Sequence, residues 1–227
     1  MHPSHPKWVT IEVGQSVQLR PIIAHRFHSN AHRPVLIFGS IHGDEEEAHE
    51  LCRLLEARWT SNPNHLKGRH VLFVPSVNPD GVRMRTRQNS RQVDCNRNFQ
   101  EEWAPSEWGS TNYGGPSPLS EPETQALYRL VEEEQPRMIL SIHACTSCSG
   151  MNNFDGPAQP WAEHMTRFNA YPASSDWHEK TPGSFGTYAG KAKEIPVITL
   201  EMPSLNMKKS SYSDNIAAVE AAILMGD

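Results

Sequence analysis

Four runs of apolar residues punctuate the chain: Pro34-Val-Leu-Ile-Phe-Gly-Ser-Ile41, Val71-Leu-Phe-Val74, Met138-Ile-Leu-Ser-Ile142 and Ile195-Pro-Val-Ile-Thr-Leu200. They are short and lack polar alternation, which predicts strands covered on both faces. Between them the spacing turns helical. Glu45 to Trp59 repeats Leu51, Leu54 and Leu55 on one face. Ser120-Glu-Pro-Glu123 reads as a helix start, with Ser120 as N-cap, a Glu three residues later and an early Pro. That helix continues through Leu127, Leu130 and Val131, and another is predicted from about Asp214 to Leu224. Weak alternation at Val9, Ile11 and Val13, then Val17, Leu19 and Ile22, predicts one or two edge strands. Asn78-Pro-Asp-Gly81 is a strong turn signal, and the polar stretch 78–119 reads as a long functional loop. Buried strands alternating with helices predict an α/β fold, a sheet flanked by helices on both faces. No repeat or composition break divides residues 1–227, which read as a single domain.

Composition narrows the possible partners. Hydrophobic residues make up 37% and charged residues 21%, as in a globular protein. The longest apolar run falls far short of the roughly 20 residues that span a bilayer. No apolar segment follows Met1-His-Pro-Ser-His-Pro-Lys-Trp8, so a secretory signal is not expected and a cytoplasmic location is. The net charge is −5 with no basic stripe, which argues against nucleic acid and anionic membranes as partners. Four cysteines (Cys52, Cys95, Cys145, Cys148) do not make a disulfide scaffold, and reduced thiols are expected. The sequence does not set an oligomeric state.

Twelve histidines direct attention to metals. Three buried runs end in a candidate ligand or base: Ile41 precedes His42, Ile142 precedes His143, and Leu200 precedes Glu201. Sites in open α/β sheets form beyond the carboxyl ends of strands, so these residues are expected to converge, with Glu45 beside His42. Two His and a Glu match a known catalytic zinc set that leaves a position open, while the second Glu stays free to deprotonate water. Each residue alone also has a plain structural role, and the joint arrangement carries the argument. Arg83, Arg85, Arg87, Arg91 and Arg97 crowd one loop of a net-acidic chain. They are either solvated or form an anion pocket, since Arg forks bind carboxylates.

In this order, His42-x-x-Glu45, Asp94-x-Asn-Arg-Asn-Phe99, His143 and Glu201 resemble the metallocarboxypeptidase family of carboxypeptidase A, over about Pro34 to Pro203. The resemblance implies a carboxypeptidase-like mixed sheet and one Zn²⁺ per chain on His42, Glu45 and His143. It also implies that Glu201 activates water and that Arg87 polarises the scissile carbonyl. Asn96 and Arg97 would hold the substrate's terminal carboxylate, and Asp94 would orient His42. Ser120-Glu-Pro-Glu-Thr-Gln-Ala-Leu127 and Thr181-Pro-Gly-Ser-Phe-Gly-Thr187 are similar to segments of the bacterial murein peptide amidase branch. That similarity implies a small peptide substrate with a free carboxylate, murein tripeptide, cleaved at its γ-D-glutamyl–meso-diaminopimelate bond during peptidoglycan recycling.

The family's mobile tyrosine has no direct counterpart; His178 and Tyr188 are the two substitutes expected to touch substrate. Cys145-Thr-Ser-Cys148 is either a redox pair, a metal site or ordinary thiols, and ordinary thiols are expected. The N-terminal histidines (His2, His5, His25, His28, His32) share no ligand spacing, and His49 reads as a solvated helix residue. Trp103, Trp108 and Tyr113 either wall the pocket or pack its loop. The rival functions are another wall-peptide or general carboxypeptidase, an N-acyl amino acid deacylase, and a non-catalytic wall-peptide binder.

Overall fold

The apolar runs become the interior of one eight-stranded mixed sheet. The computed structural model describes residues 8–27, 33–176, 181–203 and 212–225. In chain order the strands are Trp8–Gln15 (β1), Pro21–Phe27 (β2), Val35–Gly39 (β3), Val71–Val74 (β4), Met138–Cys145 (β5), Met151–Asp155 (β6), Ala173–Ser174 (β7) and Val197–Pro203 (β8). They lie in the order β1-β2-β4-β3-β5-β8-β6-β7. The central four, β4, β3, β5 and β8, are parallel, and they contain the four predicted buried runs. β1 and β2 add antiparallel on one side, and β6 adds antiparallel to β8 on the other.

Each interior strand sends alternate residues to opposite faces, and both faces are dry. Val35, Ile37, Val71, Phe73, Leu140 and Ile142 pack beneath Glu46–Ser61 (α1), Gln159–Asn169 (α4) and Tyr212–Leu224 (α5). Leu36, Phe38, Leu72, Val74, Ile139 and Val197 pack against Pro122–Glu134 (α3) and a π-helical segment, Gly186–Ala192. Helices therefore cover both faces, as predicted. From β3 the chain crosses through α1 to β4 on one side, then through α3 to β5 on the other. The strand order reverses between β3 and β5, and a crevice opens at their carboxyl ends.

Several local expectations change. Asn78-Pro-Asp-Gly81 is not a simple turn but the start of a short helix, Pro79–Met84 (α2), because the Asn78 side chain accepts the Gly81 N–H at 2.8 Å and Pro79 supplies a helical φ. The cap of α3 is Glu121 rather than Ser120. The Ser120 hydroxyl bonds instead with Asn98 and Glu121, while Glu123 accepts the Val17 N–H and the Asn89 amide. β2 is an interior strand, not an edge. Strand β6 and helix α4 were not foreseen.

The loop carrying the arginines is fixed from beneath by Asp80. Its buried carboxylate accepts from the Ser16 hydroxyl at 2.8 Å, the Gln18 N–H at 2.9 Å and the Ser90 hydroxyl at 3.2 Å, and it pairs with Arg20. Burial alone would raise its pKa, but these donors outweigh that and hold it below the ordinary 3.8. A depressed pKa contributes stability that is present above the ordinary value and is lost as pH falls. Asp80→Ala is expected to cost about 2–4 kcal/mol at neutral pH. The gap to the parent protein should narrow as pH falls below about 4; urea unfolding at both pH values measures it.

Candidate metal centre

His42 follows β3 through Ser40 and Ile41, and Glu45 directly precedes α1. Glycine is required between them. A Cβ on Gly43 would run into the backbone of Gly81, so this loop lies directly on α2, and the Gly43 N–H donates to Thr86 O at 3.0 Å. Glu45 occupies the N-cap position of α1 yet makes no side-chain cap bond. Its carboxylate points into the crevice instead, with Oε1 2.6 Å from His42 Nδ1 and Oε2 3.1 Å from His143 Nδ1. The Ala144 N–H donates to Oε2 at 3.0 Å and fixes its angle. A helix start that forgoes its cap is a local rule broken for a site.

His42, Glu45 and His143 form a group whose ligand atoms all lie within 4.8 Å of one another. Two imidazoles and a carboxylate fit zinc, and the three leave coordination positions open. The far nitrogen of His42, Nε2, donates to Asp94 at 3.1 Å. Asp94 is fully buried and also accepts the Asn96 N–H at 2.8 Å and the Arg87 fork at 3.0 and 2.9 Å. Burial would push the Asp94 carboxyl up, but His42 and Arg87 outweigh it and hold it well below the usual range. Burial likewise works against His42, yet Glu45 and Asp94 raise its pKa to about 9. Such a pocket of carboxylates around an imidazole calls for a cation.

Glu201 is a register partner of His143 on the neighbouring strand β8. Burial first, and the Glu45 charge after it, push its carboxyl up to about 7 against the pull of His143, His42 and Arg87. A cavity of about 780 Å³ joins these residues. Its walls include Arg87, Asn96 and Arg97. The Asn96 side-chain oxygen accepts the Phe185 N–H at 2.9 Å, and Arg97 Nη1 donates to Asn96 O at 2.8 Å.

Some expected site residues are elsewhere. Tyr188 is buried in the core beneath α3, where it stacks on Phe99 and donates its hydroxyl to Glu132 at 2.6 Å. It lies outside the cavity wall and does not replace the mobile tyrosine; His178 lies outside the described residues. Of the five crowded arginines, only Arg87 and Arg97 reach the cavity. Arg85 pairs with Glu46 at 3.2 Å, Arg91 lies 3.6 Å from Glu121, and Arg83 is exposed. Cys145 and Cys148 are joined as a disulfide rather than free, because the turn after β5 brings their Cα atoms to 5.7 Å. Cys52 and Cys95 are buried thiols. Trp103 packs its own loop by donating to Gly114 O at 2.9 Å, and Trp108 is 68% exposed. His25 is held 2.6 Å from Glu56; His2, His5, His28 and His32 lie outside the described residues.

Beyond His143 and Glu201, the opposite wall was not expected from the sequence. Strand alternation places Ser141 and His143 of β5, Thr199 and Glu201 of β8, and Asn153 and Asp155 of β6 along the same cavity. Lys191 of the π-helical segment closes it.

Comparison with known proteins agrees with this geometry. The zinc carboxypeptidase family (peptidase M14) matches residues 1–151. Murein peptide amidase A of Escherichia coli K12 is 30% identical over 214 residues, 89% of this chain and 84% of the relative. Its counterpart in Vibrio campbellii is 29% identical over 206 residues, 85% and 79% of the two chains. Among solved structures, murein-tripeptide amidase of Escherichia coli O157 superimposes with a TM-score of 0.73 at 24% identity, covering 99% of this chain and 95% of that one. Bovine thrombin-activatable fibrinolysis inhibitor gives 0.76 at 20% identity over 95% and 88%. These two structures share the fold.

Proposed function

The chain belongs to the zinc carboxypeptidase family, and from that premise we propose that it is a murein peptide amidase, releasing meso-diaminopimelate from L-Ala-γ-D-Glu-meso-diaminopimelate. The observation that carries this reading is one cavity lined by the His42, Glu45, His143 group, by Arg97 and Asn96, and by Glu201. A hydrolase so arranged cuts next to a residue that bears a free carboxylate. The named relatives support a murein peptide as the substrate. Recycling of free wall peptides in the cytoplasm is the setting proposed with it.

In this reading the substrate carboxylate docks on Arg97 and Asn96, which sets the preceding amide beside Arg87. Zinc, when bound by His42, Glu45 and His143, supplies Lewis acidity to the attacking water and the scissile carbonyl. Glu201 takes the water's proton and returns it to the leaving amine. Arg87 donates to the oxygen on which charge develops. Asp94 braces both partners, since it holds His42 on one oxygen and Arg87 on the other.

The test is a side-by-side assay of four compounds: the tripeptide, the tetrapeptide carrying a further D-Ala, a C-terminal dipeptide and an N-acyl amino acid. Release of diaminopimelate from the tripeptide, with kcat/KM at least about tenfold above the others, is expected. Preference for the tetrapeptide or the acyl amino acid would replace this reading with the corresponding carboxypeptidase or deacylase.

A further inference from the structure

The cavity wall away from the metal centre carries a pair of opposite charges that the reaction as described leaves unused. Asp155 ends β6, and its side chain is 18% exposed. Room for it is made by two glycines one turn apart on the π-helical segment. A Cβ on Gly186 would strike the Asp155 carboxylate, and one on Gly190 its Cβ. Among the described residues, no donor hydrogen-bonds to this carboxylate. The nearest cation is Lys191 Nζ at 3.9 Å, beyond hydrogen-bond reach, and that side chain is 58% exposed. Burial pushes the Asp155 carboxyl up, and Lys191 offsets this only in part. A largely desolvated carboxylate without donors, facing a cavity, is a costly arrangement unless a ligand supplies them.

Sheet register sets its distance from the chemistry. Met151 pairs with Glu201, Asn153 with Thr199 and Asp155 with Val197. Asp155 thus lies four residues along the sheet from the Glu201 row, roughly 13 Å. From a scissile carbonyl carbon, six bonds of about 1.5 Å in an extended chain reach the ε-carbon of the leaving residue at about 8 Å. Its terminal substituents and a hydrogen bond of about 3 Å cover the rest. Shorter side chains do not reach.

We propose that Asp155 and Lys191 read the far end of the leaving residue, Asp155 taking an ammonium and Lys191 a carboxylate. The preferred leaving residue is therefore a long side chain ending in an amino acid head group, not a simple cation. A lysine-like terminus would satisfy Asp155 but meet Lys191 with like charge. A neutral terminus would leave Asp155 without a donor. This assignment rests on the reading that the site releases a C-terminal residue of the diaminopimelate type.

Three peptides that share L-Ala-γ-D-Glu and end in meso-diaminopimelate, L-Lys or L-norleucine test it on the zinc-loaded protein. Asp155→Asn is expected to lower kcat/KM about 10–100-fold on the first two and to leave the norleucine peptide unchanged, which also reports an intact fold. Lys191→Met is expected to lower the diaminopimelate peptide about tenfold or more and to leave or improve the lysine peptide. Equal losses on all three peptides, or none, would overturn the assignment while the amidase reading stands. Should the parent protein cleave none of the three, calorimetric binding of free meso-diaminopimelate decides. Weaker binding by both variants keeps the subsite and discards the amidase reading; unchanged binding discards the subsite as well.

Discussion

Glu201→Gln is expected to lower turnover by about 10²–10⁴-fold, the range in which a positioned general base contributes. The carboxylate is almost fully buried, and burial together with the Glu45 charge raises its pKa to about 7. A base so poised accepts a proton from water at neutral pH and can release it again to an amine. Glutamine preserves the shape and removes that capacity. Since His42, Glu45 and His143 are untouched, the variant should still bind about one zinc per chain by elemental analysis. Full metal content with near-normal turnover would remove Glu201 from its role.

Metal depletion should reduce turnover further, to background, and it carries a second signal in stability. The three residues of the metal group come from the β3–α1 loop and from β5, so an ion held there ties that loop to the neighbouring strand. At free zinc about a hundredfold above its Kd, a native-state ligand stabilises by about 2.7 kcal/mol. For a domain of this size that corresponds to a Tm rise of roughly 5–11 °C. Scanning calorimetry of chelated and zinc-restored protein measures it. Glu201→Gln should show the same shift, whereas His143→Ala should show almost none. A full shift in His143→Ala would place the metal elsewhere.

Much of the scaffold was legible because parallel strands buried on both faces read as continuous apolar runs, and β3, β4, β5 and β8 all do. The metal group was legible for a related reason: its residues follow or end those runs. β6 was hidden because Met151-Asn-Asn-Phe-Asp155 buries amides rather than hydrocarbon. Asn152 is satisfied inside by Asn169, Thr166 and Tyr171 O, a network that only tertiary contact reveals. With β6 unseen, Asp155 had no strand to place it on the cavity wall. Tyr188 was misplaced because sequence distance from the Gly-Ser turn says nothing of direction. In the π-helical segment its ring turns inward toward Phe99, and its hydroxyl finds Glu132. The arginine loop misled by number: crowding drew attention to five side chains, and geometry selects two.

The position of β8 bears on how the active protein is made. This strand is the last of the sheet in sequence, yet it lies between β5 and β6, which are synthesised before it. During translation, the segment through Cys145 already holds His42, Glu45 and His143, so the nascent chain has the whole metal-binding group while Glu201, the proposed base, is still unmade. Insertion of β8 is a non-local step of the kind that folds slowly, and it brings Glu201 beside His143 as it joins the β6–β7 wing to the sheet. On the proposed role of Glu201, hydrolytic competence would therefore arrive only with the closing of the sheet, after the three residues of the metal group have been made.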